Sequence, residues 1–263
     1  MSQKKQVPLL VNKDFLAPSV FQPENLLREA RRQKNISNCN VPKICVLDPD
    51  GDLAKYLIDK EEATENKCWA CYHSSLYSFT SNGIEIGIIP CIVGASYAVL
   101  VAEQLFVSGC QSLISITSAG IITPPSNNKR FALITESIRD EGTSYHYLPE
   151  GQASTISQAL LQKLNKYTSN ANCPWFPAKS WTTDAPYRET TLAISAMEKE
   201  NVCCVEMEAA ALYAFAHAKN KQVICFAHLT NTMAQEEGDF EKGAHFGSID
   251  SLNLLGEVIR WIG

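Results

Sequence analysis

Residues 205–212 read Val-Glu-Met-Glu-Ala-Ala-Ala-Leu and set two carboxylates, Glu206 and Glu208, on either side of Met207, where a β-run becomes an alanine-rich helix. This is a poor way to build a core and a good way to grip a sugar. The helix dipole keeps a carboxylate near a helix N-terminus ionised, and such a group accepts hydrogen bonds from two adjacent hydroxyls. Met207 offers a flexible, polarizable surface for the face of a ribose. Where C1′ of that ribose turns positive, as in an oxocarbenium-like transition state, the same negative charge stabilises it. The plainer alternative is a pair of first-turn helix glutamates around a core methionine.

The elements that must hold these groups alternate along the chain. Ile44–Leu47 is a short apolar run ending in the Asp48-Pro49-Asp50-Gly51-Asp52 turn, and strands at 76–80 and 84–89 flank the hairpin signal Asn82-Gly83. Helical spacing marks 95–107, 155–164, 189–199, 208–218 and 251–261; strands are expected at 112–117, 130–135, 179–183, 202–205 and 222–228. Such alternation predicts a three-layer α/β/α sandwich around a mixed, mostly parallel twisted sheet, with ligands at the carboxyl ends of its strands. Residues 1–40 form an extension ahead of a single domain, 41–263. Within the extension, Pro23–Arg32 carries proline and glutamate early and arginines late, the dipole pattern of a helix of about three turns that packs on the domain or on a second subunit.

Composition sets the broad class. The 263 residues are 45% hydrophobic and 19% charged, as expected of a globular α/β domain. A net charge of -5 and the lack of a long Lys/Arg run argue against a nucleic-acid partner. The first residues, Met1–Gln6, precede only a brief apolar patch, which suggests neither a secretory signal nor a membrane span, and a cytoplasmic protein is expected. Of ten cysteines, Cys45, Cys91, Cys110, Cys203, Cys204 and Cys225 lie in or beside apolar runs and read as buried thiols of a reducing compartment. Cys68-Trp69-Ala70-Cys71 followed by His73 invites a metal or redox role, but no second Cys-x-x-Cys supports it and no metal is expected.

Three predicted strand ends are polar. Thr117-Ser118-Ala119-Gly120 is either an ordinary turn or a place where backbone N–H groups approach an anion or a water. Thr182-Thr183-Asp184-Ala185-Pro186-Tyr187-Arg188 brings a ring able to stack on a base and an arginine able to bind an oxo group, unless Tyr187 merely covers the core. Thr230-Asn231 closes the last strand.

With these stretches together, the chain from Pro42 onward resembles the nucleoside phosphorylase superfamily, which includes uridine phosphorylases, hexameric-type purine nucleoside phosphorylases and methylthioadenosine nucleosidases. The Glu206-Met207-Glu208-Ala209 stretch matches its ribose-binding motif. Residues 137–147, Ser-Ile-Arg-Asp-Glu-Gly-Thr-Ser-Tyr-His-Tyr, resemble the uridine phosphorylase branch, as does Asn231 followed by Gln235-Glu236, where adenosine-cleaving relatives carry an aspartate. An aspartate can protonate a departing purine, whereas asparagine only hydrogen-bonds, so Asn231 favours a pyrimidine or 6-oxopurine, with His228, Glu236 or Asp239 as other proton sources.

The departures concern the nucleophile. The resemblance leads one to expect a phosphate-binding arginine in a Gly-Asp-Pro-x-Arg loop, where this chain has Gly51, and a second where it has Ile114. Either Arg139, Arg188 or a neighbouring subunit replaces these cations, or the nucleophile is water. The resemblance thus implies cleavage of a uridine-like or 6-oxopurine nucleoside, with inorganic phosphate as co-substrate and no other cofactor. Nucleosidase action is the alternative, and non-catalytic nucleoside binding a second one. The expected roles are ribose binding by Glu206, Met207 and Glu208, nucleophile binding by Thr117, Ser118 and Arg139, and base binding by Thr183, Tyr187, Arg188 and Asn231, with Glu208 and Asn231 catalytic. A homo-oligomer, dimer or trimer of dimers, is implied as well.

Overall fold

The computed structural model describes residues 7–168, 173–232 and 237–262. Gln235 and Glu236, cited above for their resemblance, lie outside the described residues. Ten strands form one mixed sheet: β1 (Ile44–Asp48), β2 (Thr64–Glu65), β3 (Tyr77–Ser81), β4 (Ile84–Pro90), β5 (Ser112–Ile121), β6 (Phe131–Asp140), β7 (Ala153–Thr155), β8 (Trp175–Thr183), β9 (Cys204–Glu206) and β10 (Gln222–Asn231). Among the described residues, seven α-helices accompany them: α1 (Pro23–Lys34), α2 (Asp52–Asp59), α3 (Ala95–Val107), α4 (Gln158–Thr168), α5 (Thr191–Lys199), α6 (Ala209–Lys219) and α7 (Ser248–Ile262).

The sheet runs β10-β6-β8-β9-β5-β1-β4-β3-β2, and β10 also pairs with β5. Strands β5, β10, β6, β8 and β9 therefore close on one another, and β1, β4, β3 and β2 extend from that ring as an open wing. Parallel pairing joins β5 to β1 and β10, whose buried, β-branched runs fit a strand covered on both faces. Helix α3 packs against α6 and α2 against α7, and helices flank the sheet as expected.

Pairing across the sheet corrects two strand boundaries. The Thr117–Gly120 stretch does not end its strand, because Gly120 pairs with Val205 of β9 and with Asn231 of β10, which carries β5 to Ile121. Likewise β6 continues to Asp140 and takes Arg139 into the sheet. Helix α2 was not anticipated; Gly51, in the left-handed region at φ 82°, ends the acidic turn and opens the helix.

The extension lies on the domain: Leu27 and Ala30 of α1 bury against Ala70 and the half-buried Val107. Its exit is covalently held by a Cys39–Cys68 disulfide. The cysteines are therefore not all thiols, and Cys68, half of the Cys-x-x-Cys pair, is already bonded. Cys91 departs from expectation too, since it is exposed where β4 ends, whereas Cys45, Cys110, Cys203, Cys204 and Cys225 are buried thiols.

Candidate active site

Helix α6 starts where it does because its first amides find acceptors. The Glu206 carboxylate takes the N–H groups of Glu208 and Ala209, both at 2.7 Å, and the Thr182 hydroxyl takes that of Ala210 at 2.9 Å. Three hydroxyls surround the other Glu206 oxygen: Thr182 at 2.5 Å, Ser180 at 3.0 Å and Ser137 at 3.3 Å. Ser180 and Thr182 share a face of β8 by the two-residue strand period, and Ser137 stands beside Ser180 in register on β6.

Glu208 is the contrasting member of the pair. It is 1% exposed; one carboxyl oxygen accepts the N–H of Gly94 at 2.7 Å, and the other has no partner among the described residues. Burial, reinforced by the neighbouring Glu206 charge, pushes its pKa up to about 8, against the pull of the Gly94 amide and the Thr117 hydroxyl. Burial thus outweighs the helix dipole that was expected to keep it ionised at neutral pH. Met207 between them is half-buried.

Thr117 links Glu208 to a second feature, a cavity of about 20 Å³ lined by Asp48, Asp50, Thr117, Ser118 and His228, with Phe246 at its rim. That volume holds about one water molecule. The Asp50 carboxylate sits on both the backbone N–H of Ser118 (3.2 Å) and its hydroxyl (2.5 Å). Lys242 bridges Asp50 at 3.3 Å and Asp52 at 2.6 Å. Burial raises Asp48 to about 7 although Ala54 donates to it, with the Asp50 and Asp52 charges adding to the rise. His228 stacks on Phe131 with centroids 4.7 Å apart; burial lowers it to about 4, and its Nε2 has no partner among the described residues.

The two positions where arginines were expected are closed to them. A Cβ on Gly51 would lie 2.8 Å from the Cys91 sulfur in a left-handed backbone, and Ile114 is fully buried in the core half of β5. Arg139 is engaged elsewhere: it donates to Ser144 (2.8 Å), Pro149 O (2.7 Å) and Leu148 O (3.2 Å), and it stacks on Tyr145. It borders a cleft of about 570 Å³ beneath Val7 and Leu10 whose other polar walls include Asp140, Glu141, Glu150 and Asp184, an environment opposed to phosphate. Arg188 is exposed and Tyr187 is 98% exposed, so neither covers the core nor encloses a base within the single chain. The Thr183 hydroxyl accepts the Ala185 N–H at 3.1 Å. Asn231 is buried opposite Gly120 and donates to the Thr230 hydroxyl at 3.1 Å.

Sequence reasoning did not single out Gly94, the Asp50–Lys242 pair or Ser180, and it gave Ser137 and Thr182, which stood in the stretches quoted above, no role toward Glu206. The acidic turn was the one local signal for Asp50. A backbone N–H such as that of Gly94 leaves no trace in residue type.

The fold and this site define an α/β protein with a buried carboxylate at a helix entry and a hydroxyl-lined cavity beside it. The sequence matches the phosphorylase superfamily over residues 43–254, and the chain belongs to that family. Solved structures with the same fold include uridine phosphorylase from Vibrio fischeri ES114 complexed with 6-hydroxy-1-naphthoic acid (18% identity, TM-score 0.64, covering 85% of this chain and 89% of that one). Purine nucleoside phosphorylase from Toxoplasma gondii in complex with immucillin-H aligns at 14% identity and TM-score 0.68 over 84% of this chain and 90% of the other. The 5′-methylthioadenosine/S-adenosyl homocysteine nucleosidase of Campylobacter jejuni aligns at 14% and 0.66 over 83% and 99%.

Proposed function

We infer that the protein cleaves the N-glycosidic bond of a nucleoside and uses water as the acceptor. The observation that carries the choice of water is the Asp50 carboxylate seated on the N–H and hydroxyl of Ser118, in a cavity walled also by Asp48 and bordered by Asp52. An anion that belongs to the protein already takes those donors, and Lys242, the cation reaching them, is paired with two carboxylates. Each unit of like charge brought to ~4 Å costs about 4 kcal/mol at an effective dielectric of ~20, so a phosphate dianion is disfavoured where neutral water is not. This reverses the preference drawn from the sequence, which relied on Arg139 and Arg188.

In this reading Glu208 binds the ribose hydroxyls through its unpartnered oxygen, with Met207 against the sugar. As the C1′–N bond breaks, positive charge builds on the ribose ring within the field of Glu208. A water hydrogen-bonded to the Asp50 carboxylate beside Thr117 and Ser118 adds to C1′ and gives its proton to Asp50. The base departs with the bonding electron pair, stabilised by a hydrogen bond from Asn231, and takes a proton from solvent. The amide of Asn231 favours a uracil or 6-oxopurine base.

The test compares uridine and inosine with and without inorganic phosphate, and identifies the sugar product in ¹⁸O-water. Hydrolysis gives labelled free ribose at a rate indifferent to phosphate. Phosphate-dependent turnover yielding ribose 1-phosphate overturns the assignment, as does tight nucleoside binding without turnover in either buffer.

A further inference from the structure

The two glutamates of the Glu-Met-Glu stretch do different work. A carboxylate has about four lone-pair sites. In Glu206 one oxygen is filled by two backbone amides, and the other faces three hydroxyls within 3.3 Å. Each hydroxyl has one proton, and Ser180 and Ser137 also lie 2.8 Å apart, with Ser137 and Thr182 at 2.7 Å. Even when those protons are shared around the cluster, the 2.5 Å Thr182 bond and the two amides occupy both oxygens. A sugar hydroxyl would have to displace a buried donor, leaving it unsatisfied at a cost of ~1–3 kcal/mol. Glu208 asks for no such displacement, because one of its oxygens has no hydrogen-bond partner among the described residues.

We propose that Glu206 is a positioning residue, caged by Ser137, Ser180 and Thr182, which anchors the first turn of α6 beside Glu208 without touching the sugar. The kinetic part of this proposal rests on the nucleoside-cleaving reading; the structural part does not. Thr182 makes the cage a single unit, since its hydroxyl donates to Glu206 and accepts from Ala210, clamping β8 to α6 on either side of the turn that presents Met207 and Glu208. The Glu206 charge also contributes to the high pKa of Glu208.

The experiment uses full-length protein labelled with ¹³C at glutamate carboxyls, as wild type, Glu206→Gln and Thr182→Val. The Glu208 signal is assigned through its loss in Glu208→Gln. In Glu206→Gln the Glu208 titration midpoint falls by about one pH unit or more, while kcat drops more than tenfold and KM stays within threefold. The kcat/KM loss is the same for a nucleoside and for its 2′-deoxy and 3′-deoxy analogues. Thr182→Val, which keeps the carboxylate and removes one donor, lowers kcat with KM unchanged and serves where Glu206→Gln does not fold. A loss that disappears on the analogue lacking one hydroxyl makes Glu206 a sugar ligand and overturns the proposal, as does an unmoved Glu208 midpoint. If the wild type cleaves no nucleoside, the functional reading fails while the titration still decides the role of Glu206.

Discussion

Glu208→Gln is predicted to stabilise the protein at alkaline pH while abolishing its chemistry. The carboxyl is buried, and its pKa rises from 4.5 in the unfolded chain to about 8 in the folded one. A raised acid pKa means that the folded state binds the proton more tightly, so its contribution is fully present below pH 4.5 and is lost as pH rises through 8. At 1.36 kcal/mol per pKa unit the full loss is about 5 kcal/mol; it is under about 1 kcal/mol at pH 5 and nearly complete at pH 9. Glutamine keeps an oxygen for the Gly94 N–H and carries no charge to desolvate. Any constant difference in packing cancels when the variant is compared with wild type at two pH values, and Asp48 and His228 titrate in both proteins. Urea unfolding at pH 5, 7 and 9 should therefore show the variant gaining about 4 kcal/mol on wild type between the extremes, with turnover at pH 8 down ~100-fold or more. A gain below about 1 kcal/mol would refute the claim that burial governs this carboxyl.

Asp50→Asn retains a hydrogen-bond partner for Ser118 but cannot accept the proton of an attacking water, so kcat should fall ~10²–10⁴-fold; unchanged steady-state hydrolysis would remove Asp50 from the chemistry. Replacing Cys39 with serine opens a disulfide that spans 29 residues, and loop-closure entropy predicts about 3.5 kcal/mol lost. Urea midpoints of wild type, wild type with a dithiol reductant and Cys39→Ser should separate the first from the other two, and coincidence of all three would contradict that. Gly247→Ala puts a Cβ 2.5 Å from His228 Cε1 and 2.9 Å from the Lys242 carbonyl at φ 79°. It should cost more than about 2 kcal/mol in thermal melts, and turnover should fall as Lys242 shifts from Asp50.

Much of the architecture was legible because its signals are local. Helix α3 is bounded as expected at Ala95 and Val107, between Gly94 and Gly109, and the β3–β4 hairpin follows from Asn82 and Gly83, which take φ 50° and 76°. Helix α2 escaped because the Asp48–Asp52 turn hid its start and only Leu53, Ala54 and Leu57 mark its buried side. Strand β5 was cut short because Ser118-Ala119-Gly120 has turn composition; what extends it is pairing with β9 and β10, which lie far away in sequence. The site divides the same way. Glu206, Met207 and Glu208 are contiguous, but the amide that binds Glu208 is 114 residues away, Asp50 meets Ser118 across 68, and Lys242 meets Asp52 across 190. No periodicity encodes such contacts, and the proposed split between Glu206 and Glu208 depends on hydroxyls from β6 and β8 whose convergence on Glu206 no local pattern shows.

The charge pattern of the site joins its two halves. Around Thr117 and Ser118 stand Asp48, Asp50, Asp52 and Glu208, with Glu206 behind, and among the described residues Lys242 alone is bonded to any of them as a cation. Such a field opposes an anionic nucleophile and favours a ribosyl ring that becomes positive. Burial, reinforced by the neighbouring carboxylates, raises Asp48 to about 7 and Glu208 to about 8. On the hydrolytic reading, positive charge growing at C1′ lowers the proton affinity of a Glu208 in contact with the sugar. The ionised form of the carboxyl then stabilises the point of bond cleavage more than the bound substrate, which is the condition for raising kcat and not merely affinity. On the hydrolytic reading, an arginine at position 51 would weaken this field, and the left-handed Gly51 beside Asp50 leaves the carboxylate-rich cavity without that cation.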